Sequence, residues 1–349
     1  MRNFQNLTQS TGRLVTAHQE NYLFFGGTAY LGLMVDPEYI EIYKQGIDRY
    51  GLNNGTSRNN NIQLGVYGEA EENLAERFRF DACLLLSSGY LAAQMCIHFL
   101  GQLGEICYAP HAHPALWKTP QKSTTIDFSS WARQTVAYIN ASAERTFVIV
   151  SNTLDNLTPA VYDFSIFGEI SETKQIYFLL DDSHGIGVRE ANSCFIDINV
   201  LRGKNREIIV VASLAKGMGT DAGAVFCSKA MAQLFRTTPF FTGASPAAPA
   251  ALYALMEGEQ VYRKQVIQLQ RNIQLLRGEA SLSLKSLPGF PVFTLEMPEA
   301  FAQLAQKQIL ISSFPYPLPQ DPVLNRIVLS ALHNPTDLER LVSALKSLE

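Results

Sequence analysis

The sequence lacks the features that mark several classes of protein. Its five cysteines are an odd number and no pair of them has metal-ligand spacing, so neither a disulfide framework nor a metal site is predicted. No apolar run approaches the roughly 18 residues needed to cross a bilayer. There is no Lys/Arg-rich segment and the net charge is −4, so nucleic acid is not an expected partner.

The amino terminus also lacks an export signal. Residues 1–13 read MRNFQNLTQSTGR, without the apolar core of a signal peptide, and the scattered thiols fit a reducing compartment, so a cytoplasmic protein is predicted. What remains is an ordinary globular composition. The 349 residues are 47% hydrophobic and 17% charged, which is enough for one large domain and a smaller one.

Short apolar runs alternate with amphipathic stretches through most of the chain, which is typical of an α/β fold with a mostly parallel sheet. The β-branched and aromatic content of these runs favours strands over helices. Strands are predicted at 82–88, 105–109, 146–152, 176–182, 207–213 and 223–228. Helices are predicted at 36–51, 68–80 and 89–101, and as one long or broken helix over 245–287.

Beyond this long helix the pattern changes to α+β. Strands are predicted in 290–297, 308–316 and 325–332, and a last helix follows Asn334 as N-cap. The chain is therefore expected to have three parts. These are an amino-terminal segment that packs with the small domain (1–35), a large α/β domain (36–250) and a small α+β domain (251–349).

Polar side chains follow four predicted strands at the point where each strand ends. Ligands of open α/β sheets bind at these carboxyl ends. FLLDDSHGIG (178–187) brings two carboxylates and an imidazole, and LLLSSGY (84–90) places hydroxyls and N–H groups at a helix N-terminus, where an anion can bind. The predicted strand in FVIVSN (147–152) ends in an asparagine. The predicted strand in IIVVASLAKGMG (208–219) ends in a serine, and a lysine follows three residues later. Taken one at a time, each of these features belongs more often to a capped helix, a turn or a surface charge than to a ligand site.

Together, these features match the needs of pyridoxal 5′-phosphate (PLP). This cofactor requires an anion site for its phosphate, a carboxylate beside its pyridine nitrogen and a lysine amine for a Schiff base. Asp181 and Lys216 are separated by one predicted helix and a return strand, so they are expected at neighbouring strand ends. The carboxylate would raise the pKa of the pyridine nitrogen, which keeps the ring cationic and able to accept electrons.

At these residues the sequence resembles the α-oxoamine synthases, a family of fold type I PLP-dependent enzymes that includes 8-amino-7-oxononanoate synthase, glycine C-acetyltransferase and serine palmitoyltransferase. LDDSHGIG is similar to the motif D-[DE]-A-H-G-x-G, and SLAKGMGTDAGAVFCSK is similar to [ST]-x-x-K-[GA]-x-G-x-x-G-G. The likeness continues in NYLFFGGTAYLGL (21–33), EAEENLAERF (69–78), SSGYLAAQ (87–94) and NRIVLSALHNPTDLERLVSAL (325–345). The resemblance implies the aspartate aminotransferase-like fold and a homodimer with shared active sites.

The resemblance also implies roles for individual residues around the cofactor ring. Lys216 would bind PLP and later move the α-proton of the substrate. Asp181 would pair with the pyridinium nitrogen, and His184 would hydrogen-bond the phenolic oxygen. His113 would stack on the face of the ring.

Further roles concern the phosphate and the substrate. The resemblance implies that Ser88, Gly89, Tyr90 and Ser213 hold the phosphate, with help from Thr242 of the partner subunit. Arg326 would grip the substrate carboxylate, a bidentate task suited to a guanidinium group. Thr28, which stands where the family has an asparagine, is also expected at the substrate.

Residues 151–161 depart from the family, which has an acidic residue, a glycine and an F-S-M-D-G loop there. Asn152 is therefore expected to bond the ring oxygen of the cofactor, as asparagines of aminotransferases do. The leading prediction is an acyltransferase that condenses a small amino acid with an acyl-CoA or other acyl thioester, with loss of CO₂, as 8-amino-7-oxononanoate synthase does in biotin biosynthesis. An aminotransferase and a non-catalytic PLP-fold protein remain as alternatives.

Overall fold

The computed structural model describes residues 4–121, 126–155, 157, 159–279, 284–315 and 320–348. The described strands are β1 (Leu14–Ala17), β2 (Glu20–Phe25), β3 (Ala82–Leu86), β4 (Glu105–Tyr108), β5 (Thr146–Asn152), β6 (Leu154–Asp155), β7 (Ala160–Val161), β8 (Gln175–Asp181), β9 (Arg206–Ser213), β10 (Gly223–Cys227), β11 (Lys285–Ser286), β12 (Val292–Leu295), β13 (Ile309–Pro315) and β14 (Val323–Val328). Most of them form two sheets, and the short β6 and β7 pair with each other.

The first sheet is the central one, with the strand order β3-β10-β9-β8-β5-β4. All pairs among β4, β5, β8 and β9 are parallel, whereas β10 is antiparallel to both of its neighbours, β3 and β9. Its strands are buried on both faces, because Phe147 and Phe178 pack into one apolar cluster while Val148 and Leu179 pack into another. This architecture confirms the predicted α/β class with a mostly parallel sheet.

The second sheet has the order β1-β2-β13-β14-β12-β11. The amino-terminal hairpin of β1 and β2 joins it through a parallel pairing of Leu23 with Ile309, and the remaining strands come from the carboxyl-terminal third of the chain. The predicted strands of that third are present in shorter form, although Tyr316 lies outside the described residues. The three-part division with bounds after residues 35 and 250 stays a prediction.

The helices are shaped by their capping residues. Asp36 accepts the N–H groups of Glu38 and Tyr39 at the start of α1, and Asn334 forms a capping box with Asp337 at the start of the last helix. The described helices are α1 (Pro37–Tyr50), α2 (Val66–Phe78), α3 (Gly89–Leu100), α4 (Phe128–Ala141), α5 (Lys229–Arg236), α6 (Pro239–Thr242), α7 (Pro249–Glu257), α8 (Glu259–Arg277), α9 (Ala300–Gln306) and α10 (Pro335–Lys346). None of them has the length and apolar composition required to cross a bilayer.

Two predictions about helices were wrong in detail. The predicted helix over 245–287 breaks at Gly258, which ends α7 by donating to the carbonyl of Ala254, and it stops at Arg277; residues 280–283 of that range lie outside the described residues. The helix expected between Asp181 and the next strand is only a 3₁₀ turn, Ile198–Leu201. The backbone carbonyl of Asp182 instead accepts the N–H groups of the following turn.

Candidate active site

The polar side chains that follow the central strands meet along one edge of the sheet. Asn152 on β5 pairs with Asp181 on β8, which in turn pairs with Val211 on β9, two residues before Ser213. Neighbouring strands lie about 4.8 Å apart, so these positions are side by side. Because β3 and β9 are both antiparallel to β10, they run in the same direction, and Ser88 after β3 therefore reaches the same edge.

Asp181 is held at this edge by the turn that follows it. Its Oδ1 accepts the backbone N–H of Ser183 at 2.8 Å, and the Ser183 hydroxyl accepts the N–H of Ser213 at 2.8 Å. The ends of β8 and β9 are thus tied together. The side chain of Asp181 is only half-buried, so its carboxylate remains accessible to a ligand.

The beginning of α3 lies against the end of β9. Ser88 is the N-cap of α3, and its hydroxyl accepts the N–H of Leu91. A Cβ added to Gly89 would approach the Cβ of Ser213 to 2.5 Å, and one added to Gly223 would approach the carbonyl oxygen of Ser88 to 2.1 Å. Only glycine fits at these two positions, which brings the N-terminal N–H groups of α3 next to Ser213.

Lys216 lies in the turn after β9, where its carbonyl accepts the N–H of Gly219. Burial lowers the pKa of its ammonium group, the charge of Asp181 opposes this shift, and the charge of Arg326 adds to it. A lowered pKa increases the share of neutral amine, which is the nucleophilic form. Lys216 is therefore within electrostatic range of both Asp181 and Arg326.

His113 is positioned by Asn152. The Oδ1 atom of Asn152 accepts the N–H of His113 at 3.0 Å, and its Nδ2 atom donates to the carbonyl of His111 at 2.8 Å. Burial lowers the pKa of His113, while Asp181 raises it and Lys216 lowers it further. The loop that follows β4 therefore places the imidazole near both charges. Both polar atoms of the Asn152 amide are hydrogen-bonded to this loop. The expected bond of Asn152 to the cofactor ring stays a prediction.

Arg326 reaches this edge from β14 of the second sheet. It is 4% exposed. Burial raises the pKa of the Tyr30 hydroxyl, and the nearby charge of Arg326 opposes this shift. That hydroxyl lies 2.7 Å from Nδ1 of His184. Burial lowers the pKa of His184 well below its usual range, and the charges of Lys216 and Arg326 lower it further. The two sheets thus meet at a set of linked polar groups.

These groups fit PLP and an amino acid substrate. The N-terminus of α3 can accept a phosphate, and Asp181 offers a carboxylate beside the amine of Lys216. Although it is buried, Arg326 leaves its Nε and Nη2 atoms without a hydrogen-bond partner among the described residues. A buried guanidinium with unpaired donors is costly unless an anion binds it, so these two atoms are suited to bind a carboxylate.

Three predicted site residues lie at the margin of this cluster. Tyr90 on α3 is 63% exposed, and Thr28 is half-buried, two residues before Tyr30. Thr242 ends α6, where its hydroxyl donates to the carbonyl of Thr238 at 3.1 Å. Thr242 borders a cavity of about 450 Å³ that Tyr67 also lines. Within the described residues of one chain, no side-chain hydrogen bond joins any of the three to Asp181, Lys216 or Arg326, although the carbonyl of Thr28 accepts the N–H of Tyr30 at 2.9 Å.

Two buried residues of the site were not predicted from the sequence. Tyr30 belongs to the segment NYLFFGGTAYLGL, whose resemblance to a family motif was a usable signal. Asp182 is fully buried beneath Asp181, where it accepts hydrogen bonds from the Thr153 hydroxyl at 2.5 Å and from the N–H of Phe195 at 3.1 Å. Burial raises the pKa of Asp182 to about 7.

Comparison with known proteins gives concordant results. Residues 25–345 match the family model described as aminotransferase class I and II. Curated relatives include the 8-amino-7-oxononanoate synthase of Pectobacterium atrosepticum, 25% identical over 96% of this chain and 91% of the relative. The enzyme of the same name from Serratia proteamaculans is 26% identical over 96% of this chain and 91% of the relative.

Solved structures share the fold at lower identity. A serine palmitoyltransferase from Sphingomonas wittichii superimposes with a TM-score of 0.80 at 16% identity, covering 99% of this chain and 92% of that one. The 8-amino-7-oxononanoate synthase from Francisella tularensis gives 0.68 at 16% identity, covering 94% and 97%. A serine palmitoyltransferase with bound PLP gives 0.81 at 15% identity, covering 98% and 91%. This likeness confirms the predicted fold type I architecture.

The family match, the fold and the arrangement of polar groups agree with one another. The match spans all the strand ends that form the site, from the segment before Tyr30 to α10. We conclude that the chain belongs to the aminotransferase class I and II family of PLP-dependent enzymes, as a divergent, α-oxoamine synthase-like member.

Proposed function

We propose that this enzyme condenses a small amino acid, such as glycine, alanine or serine, with an acyl-CoA or other acyl thioester to form an α-oxoamine. In the overall reaction the bond from the α-carbon to the carboxylate breaks and CO₂ leaves. The acyl carbon–sulfur bond also breaks and the free thiol leaves. A carbon–carbon bond forms between the acyl carbon and the α-carbon, and one proton is taken up.

The residues at the ends of β8 and β9 would hold the cofactor and move protons. Bound PLP would supply an electron sink for the electron pair released at the substrate α-carbon. Lys216 would carry the cofactor and then remove the proton from this α-carbon, a task that its lowered pKa supports. Asp181 would keep the pyridine nitrogen protonated, His184 would donate to the phenolic oxygen, and His113 would cover the ring.

The phosphate and the substrate would be held by different parts of the chain. We assign the phosphate to the N-terminus of α3, through Ser88, Gly89 and Tyr90, and to Ser213, with Thr242 supplied by the partner subunit of a homodimer. The exposure of Tyr90, at 63% in one chain, supports the assignment of a partner surface here. We assign the substrate carboxylate to Arg326, with Thr28 beside it.

One observation carries the proposal. The half-buried lysine with a lowered pKa lies within electrostatic range of a carboxylate at the neighbouring strand end and of a buried arginine, two of whose nitrogen atoms have no hydrogen-bond partner among the described residues. A structural scaffold has no need for such an arrangement, because each of these buried charges costs stability unless a ligand pairs with it. The relatives named 8-amino-7-oxononanoate synthase, matched over more than 90% of both chains, favour acyl transfer among PLP reactions.

A second candidate, an aminotransferase, is favoured by Asn152. This residue is the strand neighbour of Asp181, at a position where the α-oxoamine synthases have an acidic residue. An aminotransferase would exchange the amino group between an amino acid and a ketoacid without any thioester. Asn152 already bonds the backbone on either side of Ala112, which explains its presence without a change of reaction class.

The first experiment is the visible spectrum of the purified protein after addition of PLP, beside two variants. Lys216→Ala removes the proposed covalent attachment, whereas Lys229→Ala removes an exposed lysine at the start of α5 and serves as the matched control. We expect the wild type and Lys229→Ala to show the same protonation-sensitive band of lysine-bound cofactor. The Lys216→Ala protein should lack it. An identical spectrum in all three proteins would contradict the assignment of Lys216.

The second experiment measures products. Each of the three amino acids is incubated with acyl-CoA donors of increasing chain length, and the release of free thiol and of CO₂ is followed. Release of both in equal amounts supports acyl transfer, and the best donor identifies the acyl group and decides whether a role in biotin biosynthesis is reasonable. Conversion of the cofactor to its pyridoxamine form, reversed by a ketoacid, would establish the aminotransferase instead. A cofactor that binds but never turns over would leave the non-catalytic alternative.

A further inference from the structure

Tyr30 lies where the two sheets and the lysine turn meet. Its side chain is fully buried, and its ring packs edge-on against Phe290 with the ring centroids 6.3 Å apart. Its carbonyl accepts the N–H of Ala331 just after β14 at 2.9 Å. A Cβ added to Gly217, the residue after Lys216, would come within 3.8 Å of the Tyr30 ring. The phenol is therefore fixed by contacts on every side.

The hydroxyl of Tyr30 lies 2.7 Å from Nδ1 of His184. The phenol is fully buried, so its single O–H hydrogen requires an acceptor inside the protein. Among the described residues, Nδ1 of His184 is the atom within hydrogen-bond distance that can accept it. The phenol therefore donates and Nδ1 of the imidazole accepts.

The protonation states agree with these roles. Burial raises the pKa of Tyr30 to about 12, so the phenol keeps its hydrogen. Burial and the charges of Lys216, Arg326 and His113 all lower the pKa of His184, so the imidazole is neutral. A neutral imidazole that accepts at Nδ1 carries its hydrogen on Nε2.

We propose that Tyr30 is a positioning residue that fixes the Nε2–H tautomer of His184. The charge of Arg326 acts on both the Tyr30 hydroxyl and the imidazole of His184. A carboxylate that pairs with Arg326 would offset this positive charge and weaken the polarisation of Tyr30 and His184. Substrate binding at Arg326 would thereby change how strongly Nε2–H donates to the phenolic oxygen of PLP.

The coupling part of this proposal rests on the proposed function, because it takes Arg326 as the partner of the substrate carboxylate. The tautomer part does not, since it follows from the contacts of Tyr30 alone. The two parts are therefore tested separately. The first test needs neither substrate nor turnover.

The first test determines the tautomer of His184 by ¹⁵N spectroscopy of the histidine side chains, in the full chain with and without PLP. His184→Asn assigns the signal. We expect the Nε2–H form in the wild type and in Tyr22→Phe, a control that removes another buried tyrosine hydroxyl, bonded at 2.8 Å to Glu20. Tyr30→Phe should give a mixture of tautomers or the Nδ1–H form. An Nδ1–H histidine in the wild type overturns the proposal even if Tyr30→Phe fails to fold, and an unchanged tautomer in Tyr30→Phe overturns it as well.

The second test adds L-alanine to the PLP-loaded proteins. In the wild type and Tyr22→Phe we expect the ¹⁵N signals of His184 to shift on binding, and in Tyr30→Phe the shift should be smaller, because the phenol on which Arg326 also acts has lost its hydroxyl. An equal shift in Tyr30→Phe overturns the coupling. If alanine causes no response even in the wild type, the coupling and the role of Arg326 both fail, while the tautomer measurement still decides the positioning role of Tyr30.

Discussion

The two sheets supply the candidate site in different ways. The central sheet delivers Asp181 and Lys216 at or just beyond strand ends, and both side chains are half-buried. The second sheet delivers Arg326 from the interior of β14, where the side chain is 4% exposed and two of its nitrogen atoms lack a partner. The charged groups of the central sheet are thus partly accessible to solvent, whereas the charged group of the second sheet is buried.

This difference separates two physical demands on a site. A group that reacts or bonds a cofactor must remain accessible, and strand ends provide this because the backbone there turns away from the sheet. A group that selects a substrate anion is most selective when it is desolvated. Its donors then remain unpaired, at a cost in free energy, when a ligand without a carboxylate binds. We therefore expect substitutions on the central edge to affect the chemical step and those in β14 to affect substrate binding.

The largest expected effect comes from Asp181→Asn. The variant keeps the shape of the side chain but removes the charge that would hold the pyridine nitrogen protonated, so kcat should fall roughly 100- to 1,000-fold, as when one group that stabilises transition-state charge is removed. Steady-state kinetics with the best amino acid and acyl donor measures this effect. Asp163→Asn, at an exposed aspartate, is the control. A variant with normal kcat would remove Asp181 from the chemical step.

Next in size is Arg326→Lys, which tests the enclosed charge. Lysine keeps the positive charge but cannot offer the paired donors of a guanidinium, so the KM for the amino acid should rise roughly 10- to 100-fold with a smaller change in kcat. The KM for the acyl donor should stay close to that of the wild type. Arg340→Lys, at an exposed arginine of α10, provides the comparison. A fall in kcat alone would contradict the proposal that β14 affects substrate binding while the central edge affects the chemical step.

A third prediction concerns the support beneath the central edge. Burial raises the pKa of Asp182 from its ordinary value of 3.8 to about 7, so the folded state binds a proton that the unfolded state has already released. The contribution of Asp182 to the free energy of unfolding should therefore fall as pH rises from about 4 to about 7, by roughly 4 kcal/mol at most, because each pKa unit corresponds to about 1.4 kcal/mol. Burial lowers the pKa of His113, His184 and His333, so these histidines contribute in the opposite direction over this range, and the contribution of Asp182 is read from the difference between the wild type and Asp182→Asn. Denaturant unfolding at several pH values measures this slope.

In Asp182→Asn this contribution should be absent, because the amide does not titrate, while the contribution of the histidines remains. The free energy of unfolding of the variant, relative to that of the wild type, should therefore be lowest near pH 4 and higher near pH 8. Asp197→Asn, at an exposed aspartate, should keep the wild-type slope. If Asp182→Asn also keeps it, another group is responsible for the pH dependence.

The smallest effect is expected at the last helix. Asn334→Ala removes the side chain that accepts the N–H of Asp337 at 3.0 Å and so opens the capping box of α10. The free energy of unfolding should fall by about 1 kcal/mol, whereas Asn334→Ser should retain most of the stability. Neither variant should alter the kinetic constants. A change in kcat here would show that the outer parts of the second region also influence the chemistry.

The sequence predicted the central edge better than the rest of the molecule. The runs that end in Asp181 and Ser213 are apolar, rich in β-branched residues and end in polar groups, so both the strands and their neighbouring positions followed from local pattern. The helix expected between them could not be excluded by pattern, because Asp182 replaces it with turns through its backbone carbonyl and buried carboxylate. The break of the long helix at Gly258 likewise depends on its close packing against Tyr39.

What the sequence determined by itself was the kind of site. Strand periodicity, the polar strand ends and the family motifs indicated a PLP-dependent α/β enzyme, because these features are local and are encoded by neighbouring residues. Only the tertiary structure decided that the hydroxyl of Tyr30 lies beside Nδ1 of His184, and that Asn152 holds the loop of His113. These contacts join residues far apart in the chain, and their hydrogen-bond directions depend on burial and on distances of about 3 Å, which no local pattern specifies.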